Sequence, residues 1–182
     1  VIEDADGDDP DWIELHNAGP APVSLDNWSL SDGGDPRRFV FPGPTILPAG
    51  GYLVVWCDTN TAAPGLHTGF ALKTEGESVF LYDQALRRVD AVSFGAQVAD
   101  YSVGRIDDGW QLCAPTPGDP NQAATLAPVT GLVINEWMAD SLPGEEDWLE
   151  LHNTHASLPV ALRGLFLATA TTTYRISALA FG

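Results

Sequence analysis

A seven-residue segment occurs twice in this chain and constrains its fold more than any other feature. The segment is Asp-Trp-Ile-Glu-Leu-His-Asn at residues 11–17 and Asp-Trp-Leu-Glu-Leu-His-Asn at 147–153, so six of the seven positions are identical. A second block follows each copy, Val23-x-Leu25-x-x-Trp28-x-Leu30 and Val160-x-Leu162-x-x-Leu165-x-Leu167. Two matching blocks in nearly the same register indicate two copies of one module.

Apolar and polar residues alternate within the first copy, as they do in half-buried strands. Ile13 and Leu15 fall on one face of the repeated segment, and Glu14 and His16 fall on the other. Segments rich in Gly and Pro, such as 32–36, separate these short strands. Short strands at a spacing of about 8–12 residues are typical of a β-sandwich. We therefore predict an all-β chain.

The two copies are preceded by different sequences. Residues 1–121 hold the first repeat, which lacks an apolar opening strand, residues 122–131 form a linker rich in Ala, Pro and Thr, and residues 132–182 hold a partial second repeat. The second repeat has the strand that the first lacks, Val133-Ile134-Asn135-Glu136-Trp137-Met138. A sandwich without one edge strand exposes unpaired backbone groups. We predict that this segment supplies the strand by complementation, within the chain or between chains, and that exchange between chains builds a fibre. The alternative is that the chain is a piece of a longer tandem array.

Several motifs taken together resemble the lamin-tail domain in its bacterial, extracellular form. They are the repeated segment, Gly50-Gly51-Tyr52-Leu53-Val54-Val55-Trp56, Gly76-x-x-Val79-x-Leu81 and Thr116-Pro117-Gly118-x-Pro120-Asn121. The resemblance covers residues 3–121 and again 133–167. It implies tandem immunoglobulin-like β-sandwiches, a binding or structural role, a location outside the cell or at its surface, and no catalytic residues.

The charge balance excludes several kinds of partner. The chain has 25 acidic and 8 basic side chains, a formal net charge of −17. Nucleic acids are bound through clustered Lys and Arg, so neither they nor anionic membrane surfaces are expected partners. No apolar run approaches the roughly 20 residues that span a bilayer, so we predict no membrane insertion.

Part of this acidity is concentrated in one loop. Six of the first eleven residues are acidic. Asp4, Asp6 and Asp8 alternate around Gly7, and Asp11 follows. Alternate carboxylates on a turn can supply several of the 6–8 oxygen ligands that Ca²⁺ takes. We predict a Ca²⁺ site at Asp4, Asp6, Asp8 and Asp11, with a solvated acidic turn as the alternative.

No motif predicts catalysis, because the chain has no Gly-x-Ser-x-Gly elbow, phosphate-binding loop or dinucleotide fingerprint. We predict a non-catalytic structural or adhesive module whose partners are other copies of the same module. The competing hypothesis is an accessory domain that delivers an attached enzyme to a carbohydrate or surface ligand. Trp110, in a loop rich in Gly and Asp, is then the expected ligand contact. Cys57 and Cys113 form one disulfide or stay two buried thiols, and the sequence allows either.

Overall fold

The computed structural model describes residues 2–176 and 179–182, and these residues form strands and turns. The strands are β1 (Asp11–His16), β2 (Val23–Ser24), β3 (Ser29–Ser31), β4 (Phe39–Val40), β5 (Ile46–Leu47), β6 (Tyr52–Cys57), β7 (Ser78–Tyr82), β8 (Arg88–Ser93), β9 (Ser102–Ile106), β10 (Gly109–Ala114), β11 (Gln122–Ala123), β12 (Leu132–Met138), β13 (Trp148–Asn153), β14 (Phe166–Ala168) and β15 (Thr173–Arg175). A 3₁₀ turn at Val129–Gly131 is the helical element of the described part. No helix in that part has the length and apolar character needed to cross a membrane.

The first repeated segment forms β1, which pairs antiparallel with β6. Leu15 lies opposite Leu53, and Ile13 lies opposite Val55, which is fully buried. Ile13 and Leu15 pack against the core, as the alternating pattern predicts. The strand forms because its apolar residues recur at every second position, which is the period of the pleat.

A second sheet has the strand order β4-β3-β7-β8. Leu30 of β3 and Val79 of β7 join Val55 of β6 in one buried cluster, so the two sheets share a core. The hydroxyl groups of Ser29 and Ser31 are buried beside Leu30 and donate to the carbonyl oxygens of Pro36 (2.6 Å) and Gly33 (3.0 Å). The prediction of an all-β sandwich is confirmed.

A third sheet, β11-β10-β9, follows in the chain. Ala123 lies opposite Cys113, and the Ala124 N–H donates to the Leu112 carbonyl oxygen (2.8 Å). The first residues assigned to the linker therefore belong to this sheet, because their backbone groups find partners along β10.

The second repeated segment forms β13, which pairs antiparallel with β12. In the described residues β13 has no partner on its other edge. Several apolar side chains of this part of the chain are exposed, including Ile134 (62%), Trp137 (69%) and Phe166 (63%).

The turn between β7 and β8 is organised by the buried carboxylate of Asp83. Its Oδ1 accepts from the backbone N–H groups of Ala85 and Arg87, both at 2.9 Å, and its Oδ2 accepts from the Arg87 guanidinium at 2.7 Å. These hydrogen bonds, led by the Arg87 backbone N–H, outweigh desolvation and hold the pKa of Asp83 below its usual value.

We expect Asp83→Asn to lower the melting temperature at pH 7, because the amide cannot replace a carboxylate that accepts three hydrogen bonds. The folded state holds the Asp83 pKa below the ordinary 3.8. The stabilisation is therefore complete above that pH and is lost as pH falls further. Thermal unfolding of the variant and of the exposed control Asp108→Asn at pH 3 and pH 7 measures this. An Asp83→Asn deficit that is equal at both pH values would contradict it.

Both cysteines are buried free thiols in the structure. Cys57 is 1% exposed at the end of β6, and Cys113 is 0% exposed in β10. Burial, with smaller contributions from the charges of Asp11, Asp58 and Glu77, raises the pKa of Cys57 to about 12.

We expect neither thiol to react with a soluble disulfide reagent in the native protein, since a reagent cannot reach a buried sulfur and the thiolate is the reactive species. Two thiols should titrate after denaturation without reductant. Rapid reaction of the native protein would show that the thiols are accessible. The absence of any reactive thiol after denaturation would show that the two cysteines form a disulfide.

Candidate functional site

The acidic loop before β1 curls around the side chain of Asp4. Its Oδ1 accepts from the backbone N–H of Asp6 (2.9 Å) and of Asp8 (3.1 Å), and the Asp4 N–H donates to the Asp8 carbonyl oxygen (2.7 Å). Gly7 has φ +85°, a left-handed conformation that favours glycine. The sequence therefore closes the loop through the carboxylate of one residue, Asp4, which is 9% exposed.

Asp4 lies beside Asp58 and His67. One potential ligand atom from each of the three side chains lies within 4.8 Å of the other two. Asp58 directly follows β6, and the backbone at Leu66–Thr68 runs alongside Trp56 of that strand. The β1–β6 register, with Asp11 opposite Cys57, brings the end of β6 next to the acidic loop.

The imidazole of His67 is held at both nitrogens. Nδ1 lies 3.0 Å from each carboxylate oxygen of Asp58, and Nε2 lies 3.3 Å from the Pro64 carbonyl oxygen. Burial opposes protonation of the ring. The hydrogen bonds to Asp58 and Pro64 and the negative charges of Asp58 and Asp4 outweigh burial, so the pKa of His67 is raised.

The four residues of the predicted Ca²⁺ site are in different environments. Of the four, Asp4 joins the cluster with Asp58 and His67, whereas Asp6 and Asp8 are exposed. The Asp11 carboxylate is partly buried, which raises its pKa, and it accepts a hydrogen bond from the Leu72 backbone. Among the described residues, the group of side chains that could hold a metal ion is Asp4, Asp58 and His67. The sequence pattern did not identify Asp58 or His67 as ligands. The available signal was that Asp58 directly follows the most apolar strand of the first repeat.

The strand predicted for complementation, Val133 to Met138, lies in β12 and pairs with β13 of its own repeat. In the described residues the outer edge of β1 has no strand partner. Complementation of the first repeat, within the chain or between chains, stays a prediction.

The C-terminal segment Leu179–Gly182 connects the two repeats. On one side its backbone pairs with residues 160–162, through hydrogen bonds such as that from the Val160 N–H to the Gly182 carbonyl oxygen (2.8 Å). On the other side the Gly95 N–H donates to the Leu179 carbonyl oxygen (2.9 Å), and the Phe181 N–H donates to that of Ala96 (3.0 Å). We call residues 94–97 and 179–182 together the module junction.

The module junction is closely packed. Leu179, Ala180 and Phe181 are 5%, 6% and 5% exposed. The Gln97 side-chain amide adds a hydrogen bond to the Leu179 carbonyl oxygen (3.0 Å). The residues that directly follow β8, the last strand of its sheet, thus gain backbone partners from this segment.

Hydrogen bonds of the first repeat recur in the second. The Asn17 side-chain amide donates to the Leu47 carbonyl oxygen, and that of Asn153 donates to the Gly182 carbonyl oxygen, both at 3.1 Å. Three backbone hydrogen bonds, each from an N–H to a carbonyl oxygen, also recur. In the first repeat they run from Leu25 to Thr45, from Trp28 to Leu25 and from Phe41 to Trp28. In the second repeat the corresponding bonds run from Leu162 to Ala180, from Leu165 to Leu162 and from Ile176 to Leu165. The segment at 180–182 thus has the position in its repeat that residues 45–47 have in the first.

Trp110, the predicted ligand contact, is half-buried. The Arg105 guanidinium lies over its ring, 4.7 Å from the centroid, and the ring borders a surface pocket together with Arg163 and Leu179. Stacking by Arg105 occupies one face of the indole, which leaves less aromatic surface for a sugar ring.

The two packed sheets with their shared core define an immunoglobulin-like β-sandwich. The family model of the lamin tail domain matches residues 1–96, more than half of the 182-residue chain. The chain therefore belongs to the lamin tail domain family. No curated protein and no solved structure matches it. The resemblance stated for residues 97–121 and 133–167 lies beyond the matched region and stays a prediction.

Proposed function

We propose that this protein is a non-catalytic structural module that docks in tandem to other copies of the same module. The observation that carries the proposal is the module junction, where Leu179–Gly182 pairs with its own repeat on one side and with Phe94–Gln97 of the first repeat on the other. Backbone pairing of this kind gives affinity without a dedicated ligand pocket.

A corresponding edge of the first repeat is open. Ile46 of β5 has the position of Phe181, yet Ile46 is 64% exposed whereas Phe181 is 5% exposed. The contact at the junction is between two different edges, so the same contact can be repeated from one module to the next without the assembly closing into a ring. The exposed Ile46 edge is what a further module would cover through its own residues corresponding to Phe94–Gln97.

The proposal includes a location outside the cell or at its surface, which rests on the resemblance to bacterial extracellular lamin-tail domains. The competing hypothesis is an accessory domain that binds a carbohydrate or a surface. We favour the structural role, because Arg105 covers one face of Trp110 and the junction joins module to module.

We expect Phe181→Ser to open the module junction. A buried phenylalanine truncated to a small residue costs about 3–5 kcal/mol, and Phe181 is buried in the segment that joins the repeats. Calorimetry should show separate unfolding of the second repeat, and small-angle scattering should show a longer particle. Gln97→Ala should weaken the junction by about 1 kcal/mol, through the loss of one side-chain hydrogen bond.

The matched control is Ile46→Ser, which makes the same kind of change at the corresponding exposed position. It should leave both the unfolding profile and the particle length unchanged. Equal effects of Phe181→Ser and Ile46→Ser, or no effect of either, would refute the proposed role of the junction.

Exchange of Val133–Met138 between chains predicts a mass that rises with concentration in light scattering. The driving force is the open edge of β1, which can pair with a strand from another chain. A mass fixed at one monomer over the whole concentration range would count against exchange and leave docking at the module junction unaffected.

A further inference from the structure

One carboxylate oxygen in the Asp4–Asp58–His67 cluster lacks a hydrogen-bond partner. Asp4 Oδ2 is shielded from solvent and has no partner, although Oδ1 of the same group accepts two backbone N–H groups. Asp4 as a whole residue is 9% exposed. A buried anionic oxygen without a partner is costly, so native proteins pair such groups or use them to coordinate metals.

The orientation of His67 suits a metal ligand. Its Nδ1 faces the carboxylate of Asp58, and its Nε2 lies 3.3 Å from the carbonyl oxygen of Pro64. A metal-bound histidine commonly donates its second ring N–H to a carbonyl oxygen, which fixes the tautomer and the plane of the ring. His67 would therefore bind through Nδ1 and donate from Nε2.

The spacing of the three side chains allows convergence on one ion. Ligand atoms at 2.0–2.2 Å from one tetrahedral zinc ion are about 3.4 Å apart. The atoms in the cluster lie within 4.8 Å of one another. Binding of an ion requires the atoms to approach one another by up to about 1.4 Å.

We propose that Asp4, Asp58 and His67 bind a divalent transition-metal ion of the zinc type. An imidazole nitrogen together with two carboxylates is a donor set of such ions, whereas Ca²⁺ takes 6–8 oxygen ligands. The three side chains come from the acidic loop, the end of β6 and the segment beside β6. The ion ties these three parts together, and its role is structural. This site is distinct from the predicted Ca²⁺ loop, with which it shares Asp4 alone.

The test is titration of the chelator-treated full chain with ZnCl₂, and separately with CaCl₂, by calorimetry and by thermal unfolding. We expect one Zn²⁺ per chain with a micromolar or tighter Kd and a higher melting temperature with Zn²⁺. In a nitrogen-correlated NMR spectrum, Zn²⁺ should shift the His67 ring signals before those of any other histidine.

Asp4→Asn and His67→Gln should each weaken Zn²⁺ binding at least tenfold. Asp4→Asn keeps an oxygen acceptor for the N–H groups of Asp6 and Asp8, so the loop can still close. The controls are Asp6→Asn, in the same loop, and His152→Gln, an exposed histidine in β13; both should bind as the unchanged protein does.

Three results would overturn the proposal. They are no Zn²⁺ binding by the unchanged chain, Zn²⁺ binding that His67→Gln leaves intact in a folded variant, and binding of Ca²⁺ alone that Asp6→Asn weakens. The last would assign the cation to the acidic loop. Because the NMR shift of His67 is measured on the unchanged chain, the test holds even if a variant fails to fold.

Discussion

The backbone groups along the edge of a β-sheet need partners, and this requirement organises the molecule. Residues 94–97, which follow β8, find backbone partners in Leu179–Gly182, a segment whose other side pairs with residues 160–162. One short stretch of chain therefore belongs to two repeats. Leu179 and Phe181 are buried where the backbones of both repeats meet.

The pairing of β1 with β6 has a comparable influence inside the first repeat. It places Ile13 and Leu15 on the core, and its end brings Asp58 and His67 against Asp4. The register of β1 and β6 thus has two consequences. It creates an apolar contact on one face of the strand pair, and it creates a buried polar cluster at the end of the pair. A shift of that register by one residue would turn Ile13 and Leu15 outwards and separate the acidic loop from Asp58.

The parts of the fold that depend on local patterns could be predicted from the sequence. Nearby residues alone determine the alternation at Ile13 and Leu15 and the turn at Asp83. The repeat is visible in the sequence itself, and it extends to the matched hydrogen bonds of Asn17 and Asn153. The cluster could not be predicted in this way, because Asp4 and His67 meet only through strand pairing between distant segments. The same holds for the junction, where the partners of Leu179–Gly182 have no complementary sequence signature.

Amide hydrogen exchange at the module junction tests the central claim most directly. If Leu179–Gly182 joins the two repeats, the N–H groups of Gly95 and Phe181 should exchange slowly in the unchanged chain, with similar protection, because each donates across the junction. The Ile46 N–H, at the corresponding open edge, should exchange much faster than that of Phe181. Fast exchange of Gly95 and Phe181 at the rate of Ile46 would contradict the account.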